Sequence, residues 1–118
     1  MNSQKFVQAI KLVVRDAAVE DTILTAESPP GRKVPVELKA RAEWLKSLPI
    51  EQKDFVHSLV KDAVDNAVFG FFCVIDGVRA IEDDPDKGDI ELRYVKDDVA
   101  ILSPTEGAML HDIYNSQP

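Results

Sequence analysis

Ala67-Val68-Phe69-Gly70-Phe71-Phe72-Cys73-Val74-Ile75-Asp76-Gly77-Val78 is the stretch on which the reading of the fold turns. From Val68 to Asp76 it carries three Phe, three Val or Ile and one Cys, and it breaks at Asp76-Gly77. β-Branched and aromatic side chains pack well on a pleated surface, and Asp-Gly adopts the positive φ angles of a tight hairpin turn. With the period of a strand, Phe69, Phe71, Cys73 and Ile75 point one way, and Val68, Phe72 and Val74 the other. Both sets are apolar, and a strand of that kind is covered on both faces. The segment therefore predicts a central strand, or a strand with one face awaiting a partner.

Upstream, the hydrophobic period is helical. Ser3 is placed to cap a first helix whose stripe is Phe6, Ile10, Val13 and Ala17, widened by Val7 and Val14 and fading towards Leu24. Glu27 to Lys33, with Pro29, Pro30 and Gly31, is a loop. Pro35 suits the first turn of a second helix carrying Leu38, Ala42, Leu45, Trp44 and Leu48. Pro49 opens a third, from about Ile50 to Asn66, in which Phe55, Leu59, Ala63 and Ala67 recur four apart and Val56, Val60 and Val64 flank them.

Downstream, the period is that of strands. Val78 to Ile81 reads as a short returning strand, and Glu82 to Gly88 as a polar loop. Asp89 to Lys96 alternates and pairs with Val99 to Leu102 across Asp97-Asp98, a hairpin with one wet face. Met109, Leu110, Ile113 and Tyr114 mark a short closing helix lying across the sheet. Helices followed by strands predict an α+β fold. The expectation is a single domain over 1–118, with a helical N-terminal half on one face of a three- or four-stranded antiparallel sheet. Its core should hold Phe6, Ile10, Val13, Leu38, Leu45, Phe55, Leu59, Ala63, Phe69, Phe71, Cys73, Ile75, Ile90, Leu92, Ile101 and Ile113.

At 45% hydrophobic and 30% charged, the 118 residues lie within the globular range and far from disorder. The single Cys excludes an internal disulfide, and a thiol inside an apolar run suits a reducing compartment. The N-terminus lacks a signal-peptide h-region, and no apolar run approaches the length of a membrane span. These features predict a cytoplasmic protein without a membrane partner. The net charge of −7 is unevenly spread: residues 1–50 hold eight basic against six acidic residues (+2), and residues 51–118 hold six against fifteen (−9). Beyond Arg32-Lys33 there is no basic cluster to displace counterions from phosphates, which argues against nucleic acid. The acidic half either serves solubility or complements a basic protein partner.

Chemistry-bearing residues are sparse. Glu82, Asp83, Asp84, Asp86 and Asp89 cluster oxygens of the kind calcium prefers, but the EF-hand register fails: starting at Asp84 puts Asp89 where glycine is required. The cluster reads as a solvated turn or an acidic contact surface, with Asp97 and Asp98 continuing it. His57 and His111 are the only histidines; His111-Asp112 are adjacent on a helix and do not face each other. Cys73 has no nearby cation to lower its pKa and reads as a buried thiol. One Cys and two distant His are too few for zinc, and no glycine-rich phosphate or dinucleotide loop exists. No cofactor is implied. Trp44 is either core or interface, since its indole N–H needs a partner.

The stretch Phe71 to Asp84, with its Val74-Ile75-Asp76-Gly77-Val78-Arg79 centre, then Glu91-Leu92 and the ending Leu110-His111-Asp112-Ile113-Tyr114, resembles small bacterial proteins of unknown function. The resemblance covers roughly the C-terminal half, and its motifs punctuate structure without assigning catalysis. Small acidic α+β proteins of this kind are similar as a class to the immunity proteins of bacterial toxin systems, which implies a protein partner. The leading expectation is a non-enzymatic module that masks a basic partner, immunity-like or regulatory, through the acidic surface from Glu82 to Asp98, with Trp44 as a further contact. A homodimer covering the second apolar face is the next. The alternative from another class is a small-molecule binder or enzyme near the acidic loop and His57 or His111.

Overall fold

A computed structural model describes residues 1–103 and 107–116. The chain begins with α1 (Ser3–Ile10), continues without a break through a π-helical segment (Lys11–Asp16), and goes on as α2 (Ala17–Glu27). Asn2, not Ser3, caps α1: its side-chain oxygen accepts from the Lys5 N–H at 2.9 Å. Ser3 instead donates its hydroxyl to the Leu102 carbonyl at 3.0 Å, tying the start of the chain to the end of the hairpin. Next come α3 (Val36–Ser47) and α4 (Ile50–Ile75). The carbonyls of Pro35 and Pro49 accept the first intrahelical bonds of these two helices, at 3.0–3.1 Å.

The deciding stretch is helical. Val68 to Ile75 forms the last two turns of α4, which runs 26 residues, about 39 Å. An apolar run fits a helix buried on one face as readily as a two-sided strand. What distinguishes them lies just upstream: Asn66-Ala67-Val68 contains no proline or glycine and leaves no room for a connection, and a helix passes into a strand only through a few connecting residues. Asp76-Gly77 is accordingly the C-terminus of α4 and not a hairpin turn. Gly77 sits at φ 78°. Its N–H bonds the Val74 carbonyl at 3.1 Å, and the Val78 N–H bonds that of Cys73 at 3.0 Å, the paired bonds of a Schellman motif.

Val78 to Ile81 forms no strand, and residues 77–91 are exposed throughout. The hairpin is present in shortened form as β1 (Arg93–Val95) and β2 (Val99–Ile101), with Tyr94 opposite Ala100. Among the described residues the sheet has two strands. Leu92 prolongs the pairing: its carbonyl accepts from Leu102 N–H at 2.7 Å, and its N–H donates to Ser103 Oγ at 3.1 Å. The closing helix is α5 (Leu110–Ser116). It packs on α1 and α4 instead of lying across the sheet.

The core is thus helical. Val7, Phe72, Ile75, Leu110, Ile113 and Tyr114 are buried together, with Phe6, Ile10, Val68, Phe69 and Leu92 against them. Phe72 sits edge-on to Phe6 at 6.3 Å and packs on Tyr114 at 5.6 Å between ring centres. Away from this cluster, α2 packs on α3 and α4. Of the expected core, Leu45, Cys73, Ile75 and Ile113 are buried, and Phe6, Ile10, Leu38, Phe69 and Leu92 half-buried. Val13, Phe55, Leu59, Ala63, Phe71, Ile90 and Ile101 are exposed. A helix of this length turns its sides away from a small core, so the four-apart row that promised burial faces outward.

Candidate interaction surfaces

Asp76, the last residue before the exposed segment, is held tightly. Its carboxylate has no exposed surface and accepts from the backbone N–H of His111 at 2.8 Å and of Leu110 at 3.2 Å. His111 Nδ1 lies 2.6 Å from the same carboxylate, and Nε2 lies 3.4 Å from Asp112. The end of α4 is thereby clamped to the start of α5. The histidine–carboxylate pair is spent on that clamp, and a groove of about 350 Å³ beside it is lined by Asp76, Gly77, Asp89, Ile90, Glu91 and Ser103.

A second polar cluster joins the π-helical segment to the core. The Tyr114 hydroxyl donates to Asp65, and Arg15 lies 3.9 Å from the same carboxylate and 2.9 Å from Asp16. The Lys11 ammonium stands 4.9 Å from the Tyr114 ring centre and the Arg15 guanidinium 5.9 Å. Burial and the Asp65 hydrogen bond push the Tyr114 hydroxyl up to about 12. Burial and the neighbouring Arg15 lower the Lys11 ammonium, and the bond to Asp16 raises Arg15. Lys11 and Arg15, four residues apart on one helical face, both reach that ring. Sequence spacing carries no signal for it, because Tyr114 and Asp65 are far apart in the chain.

Glu82, Asp83, Asp84, Asp86 and Asp89 lie in the exposed segment that follows Gly77, where Glu82 accepts from the Gly88 N–H at 3.1 Å and closes a loop. Asp97 and Asp98 form the exposed tip of the hairpin. The structure thus gives two acidic sites, one on the loop and one on the tip. Trp44 is 53% exposed on α3. His57 is exposed on α4 beside a groove of about 430 Å³ lined by Arg15, Val19, Ile23 and Lys61 among others. It stands 19 residues before Asp76 on one helix, about 28 Å, so it does not converge with the acidic loop. Cys73 is buried. Among the described residues no group of His, Cys, Asp and Glu could hold a metal ion, and no helix is long and apolar enough to cross a membrane.

The last surface is apolar. Phe55 and Leu59 are each 70% exposed and Phe71 65%, with Ala63 and Ala67 exposed between them, one continuous four-apart ridge on α4. Its C-terminal end borders a groove of about 320 Å³ lined only by apolar side chains, among them Phe6, Ile10, Val14, Ala67 and Phe71. No protein-family model, no curated protein and no solved structure matches this chain.

Proposed function

We propose that the chain is a non-enzymatic protein-binding module of the cytoplasm that presents the acidic segment from Glu82 to Asp98 to a basic protein partner, in the manner of an immunity or regulatory protein. The carrying observation is that this segment is exposed almost throughout while holding eight carboxylates against three cations. Glu82 closes the loop on the Gly88 N–H and Glu91 pairs with Arg93 at 2.9 Å, while Asp83, Asp84 and Asp86 stand exposed beside them. The segment is anchored ahead of its start and within its length: Gly77 follows the clamped Asp76, and Leu92 is pinned to Leu102 and Ser103. An anchored acidic segment repels nucleic acid and membrane surfaces alike and speeds encounter with a positively charged protein. The two polar clusters that resemble chemistry, Asp76–His111 and Asp65–Tyr114–Arg15, direct their hydrogen bonds into the fold, which supports binding over catalysis.

The test is affinity capture from the native host at low salt, comparing the natural chain with the triple variant D83K/D84K/D86K. A basic protein retained by the natural chain, lost with the variant and released by rising salt, is the expected result. Capture indifferent to the charge reversal would refute the reading.

A further inference from the structure

The chain is more open than a folded monomer of its mass. Its solvent-accessible surface is 8796 Å², against about 6,400 Å² expected for 13.1 kDa. Its radius of gyration is 18.5 Å, where a compact chain of this length has about 13.5 Å. The exposed segment from Gly77 to Glu91 supplies part of that excess, and the ridge on α4 supplies apolar area that water does not favour. At ~200 Å² for a fully exposed aromatic side chain, the ridge and its groove offer on the order of 600 Å² per chain. Two chains together would bury at most ~1,200 Å², the lower edge of stable interfaces, and a patch of this size stands at the upper end of what monomers leave bare.

The ridge is also self-complementary. Reversed about Ala63, Phe55 meets Phe71, Leu59 meets Ala67, and Ala63 meets itself. Large side chains thus fall opposite small ones where the axes are closest, and aromatics meet where they diverge. That is the isologous pattern of a two-fold interface. Rows of residues four apart interdigitate with axes crossing near −50°, and alanines at the crossing allow the closest approach. The antiparallel arrangement also opposes the helix dipoles.

From this we infer that a second copy of the chain covers α4, the two helices packing antiparallel across Ala63. This goes beyond the acidic-segment reading and uses a different surface. The dimer displays two acidic segments, so a partner with two basic sites would be held by both at once. Each chain carries −7, so screening strengthens self-association while it weakens capture of a basic partner. The opposite responses to salt keep the two readings apart.

Sedimentation of the full chain between 1 and ~100 µM tests the inference, at a concentration span typical of interfaces of this size. A monomer–dimer equilibrium is expected, tighter in ~0.5 M salt than in ~0.05 M. L59E should weaken it at least ~100-fold, because a charge then lies in the apolar contact. L59S, a milder change at the same exposed site, serves if L59E alters the circular dichroism. On a C73A background and with oxidised glutathione added as the oxidant, A63C should form a disulfide-linked dimer, and F71C should not link to itself. A strict monomer at the highest concentration overturns the inference, and so does a dimer indifferent to Leu59. A dimer linked through F71C and not through A63C overturns it as well.

Discussion

The buried carboxylate of Asp76 receives the backbone N–H of His111 at 2.8 Å, so the residue that closes one helix caps the first turn of another 35 residues later. Side-chain caps at helix N-termini contribute about 1 kcal/mol, and a buried acceptor network contributes more than an exposed one. D76A should therefore lower unfolding free energy by about 2 kcal/mol in urea titrations, and D76N by less, since the amide keeps one acceptor oxygen. H111A removes only the ring contact and should cost less than D76A. Equal losses for D76A and H111A would argue against the backbone cap as the main term.

Tyr114 ties stability to alkaline pH. Its folded value, about 12, lies above the 10.0 of a free tyrosine, so the neutral phenol is the form the fold prefers. Its contribution is fully present below pH 10 and is lost as the pH rises through 12. On the order of 2 kcal/mol should disappear across that window. Y114F cannot ionise there and should show a flatter stability profile from pH 10 to 12, at the cost of the Asp65 hydrogen bond at neutral pH.

The end of α4 depends on Gly77. At φ 78° a β-carbon is strained, while the space around it is open. G77A should destabilise by about 1 kcal/mol, and G77N by less, because asparagine tolerates the left-handed region better. Thermal unfolding distinguishes the two.

Neighbouring phenylalanines give a direct reading of the helical face. Phe72 is 2% exposed and Phe71 65%. F72A should cost about 3–5 kcal/mol through lost burial and the cavity it leaves. F71A should stay within about 0.5 kcal/mol in unfolding measured at sub-micromolar protein, where association does not contribute. In a two-sided strand both would be costly.

The helices up to Asn66, the hairpin position and the closing helix were legible because each has a strong local period and clear breakers: Pro35, Pro49 and the apolar set Leu110, Ile113, Tyr114. The stretch from Val68 to Ile75 misled because its composition favours strand, while its conformation is imposed by the helix it continues. Gly77 is read by the same residue pair in a hairpin and in a Schellman motif, and only the preceding element decides which. Among the site residues, the exposure of Glu82 to Asp89, Asp97 and Asp98 followed from their charge. The roles of Asp76 and Tyr114 did not, because their partners are His111 and Asp65, tens of residues away. The outward face of Phe55, Leu59 and Phe71 was hidden for a different reason: periodicity shows that a stripe exists, and only the number of neighbouring elements shows whether anything lies over it.

The core joins Val7 near one end of the chain to Phe72 and to Leu110, Ile113 and Tyr114 near the other. During synthesis that cluster cannot be completed until residues 110–114 have cleared the ribosome tunnel. Until then Phe72 lacks its Tyr114 neighbour and Phe71 is uncovered, and the nascent chain is a target for chaperones that bind aromatic segments. Completing the core therefore closes a loop of about a hundred residues, a contact of high sequence separation that slows folding.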